Sequence, residues 1–130
     1  MIKAIFNIDK NLQHLTTDFT YTIMGHANHG KYGHDIVCAA VSALTTSISN
    51  ELIESVPEEI REVDFTDGFV RVKLKLPNEL ILMDTFKVNY SIKLFSMLLR
   101  NMKQLSNEYP LNVSFQSDVK INLDELIQDE

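Results

Sequence analysis

The beginning of the chain alternates between apolar and polar side chains. In MIKAIFNID and again in FTYTIM, the apolar residues fall on every second position. Because successive side chains of a strand point to opposite faces, this alternation indicates strands with one buried face. We therefore predict a β-hairpin whose turn lies within NIDKNLQ. The buried face would carry Ile2, Ala4, Phe6, Ile8, Phe19, Tyr21 and Ile23.

From Ile36 the spacing of apolar residues changes to three or four. This period predicts an amphipathic α-helix that ends before Pro57. Asp35 precedes the pattern at the position of an N-cap, where a carboxylate accepts a hydrogen bond from a free backbone N–H group. The apolar stripe comprises Ile36, Val37, Ala40, Val41, Leu44, Ile48 and Leu52.

Three further elements follow along the chain. EVDFTDGFVRVKLKL is predicted to be a hairpin, since Asp67 and Gly68 suit a type I′ turn between two alternating runs. A second helix is predicted from about Met83 to Glu108, stopped by Pro110. LNVSF is predicted to be a short final strand. The stripe of the second helix comprises Val88, Ile92, Phe95, Leu98, Leu99, Met102 and Leu105.

The element order is thus ββαββαβ, with no repeat or linker. It predicts an α+β domain in which two helices pack on one face of a mostly antiparallel sheet. We assign this domain to residues 1–116 and an acidic C-terminal extension to residues 117–130. The extension carries five carboxylates and one lysine, so we expect a solvated tail, with a short helix at LDELI as the alternative.

Composition narrows the class of protein. A net charge of −6 argues against binding nucleic acid directly, because such binding relies on Lys and Arg contacts to phosphates. One cysteine forms no internal disulfide, which is typical of a reducing compartment. The first residues do not resemble a signal peptide, and we expect no membrane-spanning stretch. These features predict a soluble cytoplasmic protein with no membrane contact.

The stretch GHANHGKYGHDIVC, residues 25–38, holds three of the four histidines, three of the four glycines and the only cysteine. Cys38 would lie in the first turn of the helix, where free N–H groups and the helix dipole favour a thiolate. His26 would lie at the end of the second strand, able to take the thiol proton. The alternative is that Cys38 is a small buried residue and that the histidines are exposed to solvent without a role. For His29 and His34 we keep the interpretation of solvent exposure.

Two other kinds of site fit the same stretch less well. His26, His29, His34 and Cys38 supply four candidate zinc ligands, but their spacing matches no common zinc pattern. The glycines precede a helix, as in phosphate-binding turns, yet the lysine–serine ending of a P-loop is missing. We therefore expect no metal and no organic cofactor.

The same residues resemble a known family, the ribosomal-processing cysteine proteases called Prp. The family pattern is GHA, then G-x-x-G-x-D-x-x-C-A-[AG]-x-S, and this chain matches it in residues 25–27 and 30–42. The order of strands and helices also agrees over about the first 116 residues. The extension after Phe115 is longer than expected for the family.

The resemblance implies a cysteine endopeptidase with a dyad of His26 and Cys38. It implies a substrate, the N-terminal extension of a large-subunit ribosomal protein of the L-twenty-seven family, cleaved during ribosome assembly. It also implies a homodimer. Supporting roles fall to Asp35, as a helix cap, and to Ser42, one turn after Cys38; Gly25, Gly30 and Gly33 would let a peptide approach. A metal-binding module and a non-catalytic ribosome-associated protein remain the alternatives.

Overall fold

The computed structural model describes residues 1–25, 32–78 and 85–127, and the side chains of residues 32–35 are outside the description. Within these ranges the elements follow the predicted order ββαββαβ. Short 3-10 turns at Pro57–Glu59 and Leu123–Leu126 are additional. The strands are β1 (Ile2–Asn11), β2 (Thr16–Met24), β3 (Ile60–Thr66), β4 (Phe69–Pro77) and β5 (Val113–Ser117), and the helices are α1 (Tyr32–Ser55) and α2 (Thr85–Glu108).

The described strands form one sheet in the order β3-β4-β2-β1-β5. Neighbouring strands are antiparallel except β1 and β5, which run parallel with Ile2 opposite Val113. The α+β prediction is therefore confirmed. The first two strands, β1 and β2, are interior strands, because each has a neighbour on both sides.

Both helices cover the same face of the sheet. The alternate residues of β1, β2 and β4 join the inward stripes of α1 and α2 in one apolar cluster. Phe95 of α2 lies at its centre and makes edge-on contacts with Phe6 and Phe19 at ring-centroid distances of 5.5 and 5.4 Å. Such tilted contacts are the preferred geometry of aromatic pairs. The cluster fixes α1, and with it Cys38, against the sheet.

The helix that carries Cys38 begins earlier than predicted. α1 starts at Tyr32, so Asp35 is its fourth residue and not its N-cap. Cys38 accordingly lies in the second turn, beyond the first four residues whose N–H groups have no partner in the helix. Ile36, placed in the apolar stripe, is 59% exposed. Ile36 therefore lies on the outer face of α1, whereas its neighbour Val37 is buried in the core.

The two hairpin turns also differ from the prediction, the first in its position and the second in its type. β1 continues to Asn11, so the first turn is Leu12–Leu15, with Leu15 at a φ of 55°. In the second hairpin Gly68 has a φ of 71°, but Asp67 is not among the residues with positive φ. A type I′ turn needs positive φ at both central positions, so the turn is of another type.

The acidic C-terminal segment packs on the domain through its apolar residues, although the acids of its described part stay exposed. In residues 118–127, here called the C-terminal strap, the Asp118 carboxylate accepts a hydrogen bond from the Ile8 N–H group at 2.9 Å. Leu123 is buried, and Asp124 lies 3.2 Å from the Lys93 ammonium of α2. The short helix at LDELI is a 3-10 turn over Leu123–Leu126. Apolar residues between the acids explain why the solvated-tail prediction is wrong.

One stretch of α1, Ile36–Ser55, is long and apolar enough to cross a membrane, contrary to our expectation. The run is rich in Ala, Val, Ile, Ser and Thr, which explains its low polarity. Its inward residues, however, belong to the core against the sheet. A core helix meets the same criteria of length and composition, so the stretch is weak evidence for a membrane span.

Candidate active site

Cys38 lies on a cavity of about 250 Å³ at one end of the sheet. The walls come from α1, from the end of β2 and from the β3–β4 hairpin. Cys38 is partly buried and is the free cysteine of the chain. The cavity is lined by Ile2, Ile23, Gly25, Cys38, Val41, Ser42, Thr45, Thr46 and residues 65–70.

Gly25 forms the wall of this cavity where β2 ends. Its φ of +105° is in the left-handed region, which favours glycine. A Cβ atom at this position would lie 2.3 Å from the Met1 carbonyl oxygen, so space also excludes a side chain. The Gly25 N–H group donates a hydrogen bond to the Gly68 carbonyl at 2.9 Å. The backbone of Gly25 is therefore fixed beside the cavity, and His26 follows it in the sequence.

One face of α1 supplies a row of small polar groups. Ser42 and Thr45 follow Cys38 by one and two helical turns, and all three line the cavity. The described residues include no hydrogen bond between the Ser42 hydroxyl and the Cys38 thiol. Ser42 is exposed, whereas Thr45 is 2% exposed, and its hydroxyl has no hydrogen-bond partner in the described part of the chain. The row gives the cavity a polar side next to the thiol.

The hairpin between β3 and β4 forms the opposite wall. Phe65, Thr66 and Phe69 flank its turn, and all three line the cavity. Asp67 contributes the one carboxylate among the described lining residues. Sequence reasoning did not include these residues in the site. The alternating pattern places Phe65 in a strand, but only the tertiary fold brings it to Cys38.

The structure brings together Gly25, Cys38 and Ser42 among the predicted site residues. Gly33 and Asp35 lie in the first turn of α1, and only their backbone is described. His26 and Gly30 lie outside the described residues, and so does His29. The pairing of His26 with Cys38 therefore stays a prediction. Within the described ranges no group of three or more His, Cys, Asp and Glu residues is arranged to hold a metal ion.

The chain matches the family model described as cysteine protease Prp over residues 1–114. It is also 43% identical over 44 residues to the ribosomal processing cysteine protease Prp of two Staphylococcus aureus strains, Mu50 and NCTC 8325. This alignment covers 34% of the present chain and 41% of each relative, so it spans less than half of the relatives' length.

Solved structures share the fold over most of the chain. The S. aureus Prp protease in complex with a substrate peptide superposes with a TM-score of 0.64 at 21% identity, covering 91% of this chain and all of that one. The structure of SMU.848 from Streptococcus mutans gives a TM-score of 0.60 at 27% identity and covers 90% of this chain and 93% of its own. With the family match over residues 1–114, the chain belongs to the Prp family of cysteine proteases.

Proposed function

We propose that this protein is a cysteine endopeptidase that removes the N-terminal extension of a large-subunit ribosomal protein of the L-twenty-seven family. The observation that carries the proposal is the position of Cys38, partly buried on a cavity whose neighbouring wall ends at Gly25. His26 follows Gly25 directly in the sequence. A cysteine thiol and a histidine imidazole are the components of a thiol protease, and we propose that His26 supplies the imidazole.

In the proposed reaction His26 accepts the proton of the Cys38 thiol, and the thiolate attacks the scissile carbonyl carbon. The tetrahedral intermediate collapses to a thioester as the peptide C–N bond breaks, and the imidazolium gives its proton to the leaving amine. Water, deprotonated by His26, then attacks the thioester and releases the carboxylic acid product and the thiol. The reaction needs no metal and no organic cofactor.

Asp35 and Ser42 would support the dyad, although Asp35 would not do so as the N-cap of α1. Since Asp35 is the fourth residue of α1, its carboxylate would act through the positive end of the helix dipole. The side chain of a helical residue leans toward the helix N-terminus, so the Cys38 sulfur would lie over the first turn. The free N–H groups of that turn are the proposed donors to the oxyanion. Ser42 lines the cavity on the other side of the thiol.

The proposed function also predicts where the enzyme works and how it assembles. Ribosomal proteins are made in the cytoplasm, which places the enzyme there as well, and a net charge of −6 argues that it recognises the protein and not the RNA. We propose a homodimer, with at least one of the sheet edges β3 and β5 free to serve the contact. Light scattering at micromolar concentration should give twice the monomer mass of 14.9 kDa.

The test uses the purified full-length protein and a peptide with the N-terminal sequence of the L-twenty-seven-type protein from the same genome. Mass spectrometry should find two products from a single cut. Cys38→Ala and His26→Ala should each abolish cleavage. His14→Ala is the matched control for the histidine, because His14 lies in the turn Leu12–Leu15 at the opposite end of the sheet.

Each alternative gives a different result. A Cys38→Ala protein that cuts at the wild-type rate contradicts the proposal that Cys38 is the nucleophile. A wild-type protein that binds the peptide without cutting it contradicts the protease proposal and leaves a non-catalytic ribosome-associated protein. If His29→Ala is as inactive as His26→Ala and the wild-type protein contains stoichiometric zinc, the metal-binding alternative is correct.

A further inference from the structure

β3 is an edge strand whose regular part, Glu62–Thr66, carries neither lysine nor proline. It pairs with β4 on one side and is the first strand of the sheet order, so no described strand lies on its other side. After a bulge between Ile60 and Glu62, its register with β4 is regular to Thr66. Lysine and proline, which commonly block edges, are missing from the strand. Its outer N–H and C=O groups therefore have no strand partner in the described part of the chain.

The face of β3 on the helix side is also uncovered. Val63 lies opposite Val72, and Phe65 lies opposite Val70, so both point toward the core side of the sheet. Val72 is fully buried, yet Val63 and Phe65 are 40% and 44% exposed. Residues of the other face, Glu62 and Asp64, alternate with them. An added strand would thus meet apolar side chains on one face and polar side chains on the other.

This surface is continuous with the candidate active site. Phe65 and Thr66, at the end of β3, line the same cavity as Cys38. A cavity of that volume is roughly 8 Å across, which an extended peptide crosses in about two or three residues. The regular part of β3, Glu62–Thr66, is long enough to pair with about five residues of such a peptide.

We propose that β3 binds the substrate by accepting it as an additional, edge strand of the sheet. This inference rests on the proposed function and names how the substrate is held. The occupant is an extended segment of the ribosomal-protein extension with apolar side chains at every second position. Main-chain hydrogen bonds to β3 supply the binding, and Val63 and Phe65 select the apolar positions. The segment then enters the cavity, which brings the scissile bond to Cys38.

The experiment measures binding without cleavage. Cys38→Ser protein is titrated with the fluorescently labelled extension peptide, and Kd is read by anisotropy. Phe65→Ala in this background should raise Kd about tenfold, because it removes an apolar contact that the peptide buries. Phe86→Ala is the matched control. Phe86 is a 59% exposed phenylalanine at the start of α2, away from the cavity, and its removal should leave Kd unchanged.

A second arm replaces single residues of the peptide by their N-methyl forms. Every second position over about five residues should lose at least tenfold in affinity, because only alternate N–H groups of a strand face its neighbour. Equal Kd values for Phe65→Ala and Phe86→Ala, or N-methyl losses without alternation, would overturn the proposal.

The other candidate occupant of this edge is a second copy of the chain. Phe65→Arg should weaken peptide binding and leave the mass by light scattering unchanged. A fall to the monomer mass would show that β3 is an interface between copies and would also overturn the proposal. Failure of the protease proposal is separate, because it is read from cleavage by the wild-type protein and not from binding to Cys38→Ser.

Discussion

Gly25 and Met1 are packed so closely that the backbone of one excludes a side chain on the other. A Cβ atom on Gly25 would lie 2.3 Å from the carbonyl oxygen of Met1 and 3.2 Å from its carbonyl carbon. The start of the chain therefore fixes the end of β2 at the residue that precedes His26 in the sequence. This contact connects the packing of the sheet to the geometry of the candidate dyad.

Gly25→Ala should destabilise the fold by about 2–4 kcal/mol, since it combines a left-handed backbone with overpacking against a main chain. It should also lower kcat for peptide cleavage, because relief of the clash displaces His26. Thermal unfolding and the cleavage assay measure the two effects. Gly68→Ala is the control for backbone strain, as Gly68 also has a positive φ, of 71°. Equal unfolding midpoints for wild type and Gly25→Ala would contradict the clash.

A buried hydrogen bond joins the sheet to the helix that carries Cys38. The Tyr21 hydroxyl and the Ser49 hydroxyl are 2.6 Å apart, and both residues are fully buried. Ser49→Ala should cost about 1–3 kcal/mol, because it leaves the Tyr21 hydroxyl buried without its partner. Urea unfolding of Ser49→Ala, Tyr21→Phe and the double variant should show that the double variant loses less than the sum. Additive losses would mean that the bond contributes nothing.

Tyr21 also predicts a loss of stability at alkaline pH. Burial raises the pKa of Tyr21 far above its usual value, and the hydrogen bond with the Ser49 hydroxyl offsets this rise only in part. In the unfolded chain the phenol ionises near pH 10, while in the folded chain it keeps its proton. The contribution of Tyr21 to the free energy of unfolding is thus complete below about pH 10. Above that pH it falls by about 1.4 kcal/mol per pH unit.

Tyr21→Phe lacks this ionisation and is the matched comparison. The free energy of unfolding of the wild type should fall relative to that of Tyr21→Phe between about pH 10 and pH 11.5. Urea titrations at a series of pH values measure the difference. Parallel curves for the two proteins over that interval would show that Tyr21 is ionised in the folded state.

The C-terminal strap should contribute to stability and not to catalysis. Leu123 is 4% exposed, and its replacement by Ala should cost about 2–3 kcal/mol. Asp124→Asn should cost under about 1 kcal/mol, since its contacts with Lys93 and Arg100 are largely exposed. Leu111→Ala, at an 85% exposed leucine, is the control and should leave the unfolding midpoint unchanged. A fully folded Leu123→Ala protein that no longer cuts the peptide would contradict a purely structural role.

The sequence alone predicted the strands and helices, and it predicted three of the residues that line the cavity, Gly25, Cys38 and Ser42. Periods of two and of three to four identify the strands and helices because burial of one face imposes them. Local patterns misplaced the start of α1, since Asp35 has the chemistry of a cap but lies within the helix. They also missed the packing of the strap, in which Leu123 and its apolar neighbours alternate with acids. Phe65 was not predicted near Cys38, because that proximity arises from long-range strand pairing.

The parallel pairing of β1 with β5 determines when the sheet can be completed. Ile2 is aligned with Val113, so β1 lacks one of its two neighbours until β5 has been synthesised. Contacts between residues so distant in sequence have a large loop-closure entropy and make folding slow. Until β5 arrives, the outer edge of β1 is open to other chains. A nascent domain of this topology therefore needs β5 before the end of the sheet that carries the cavity is held in place.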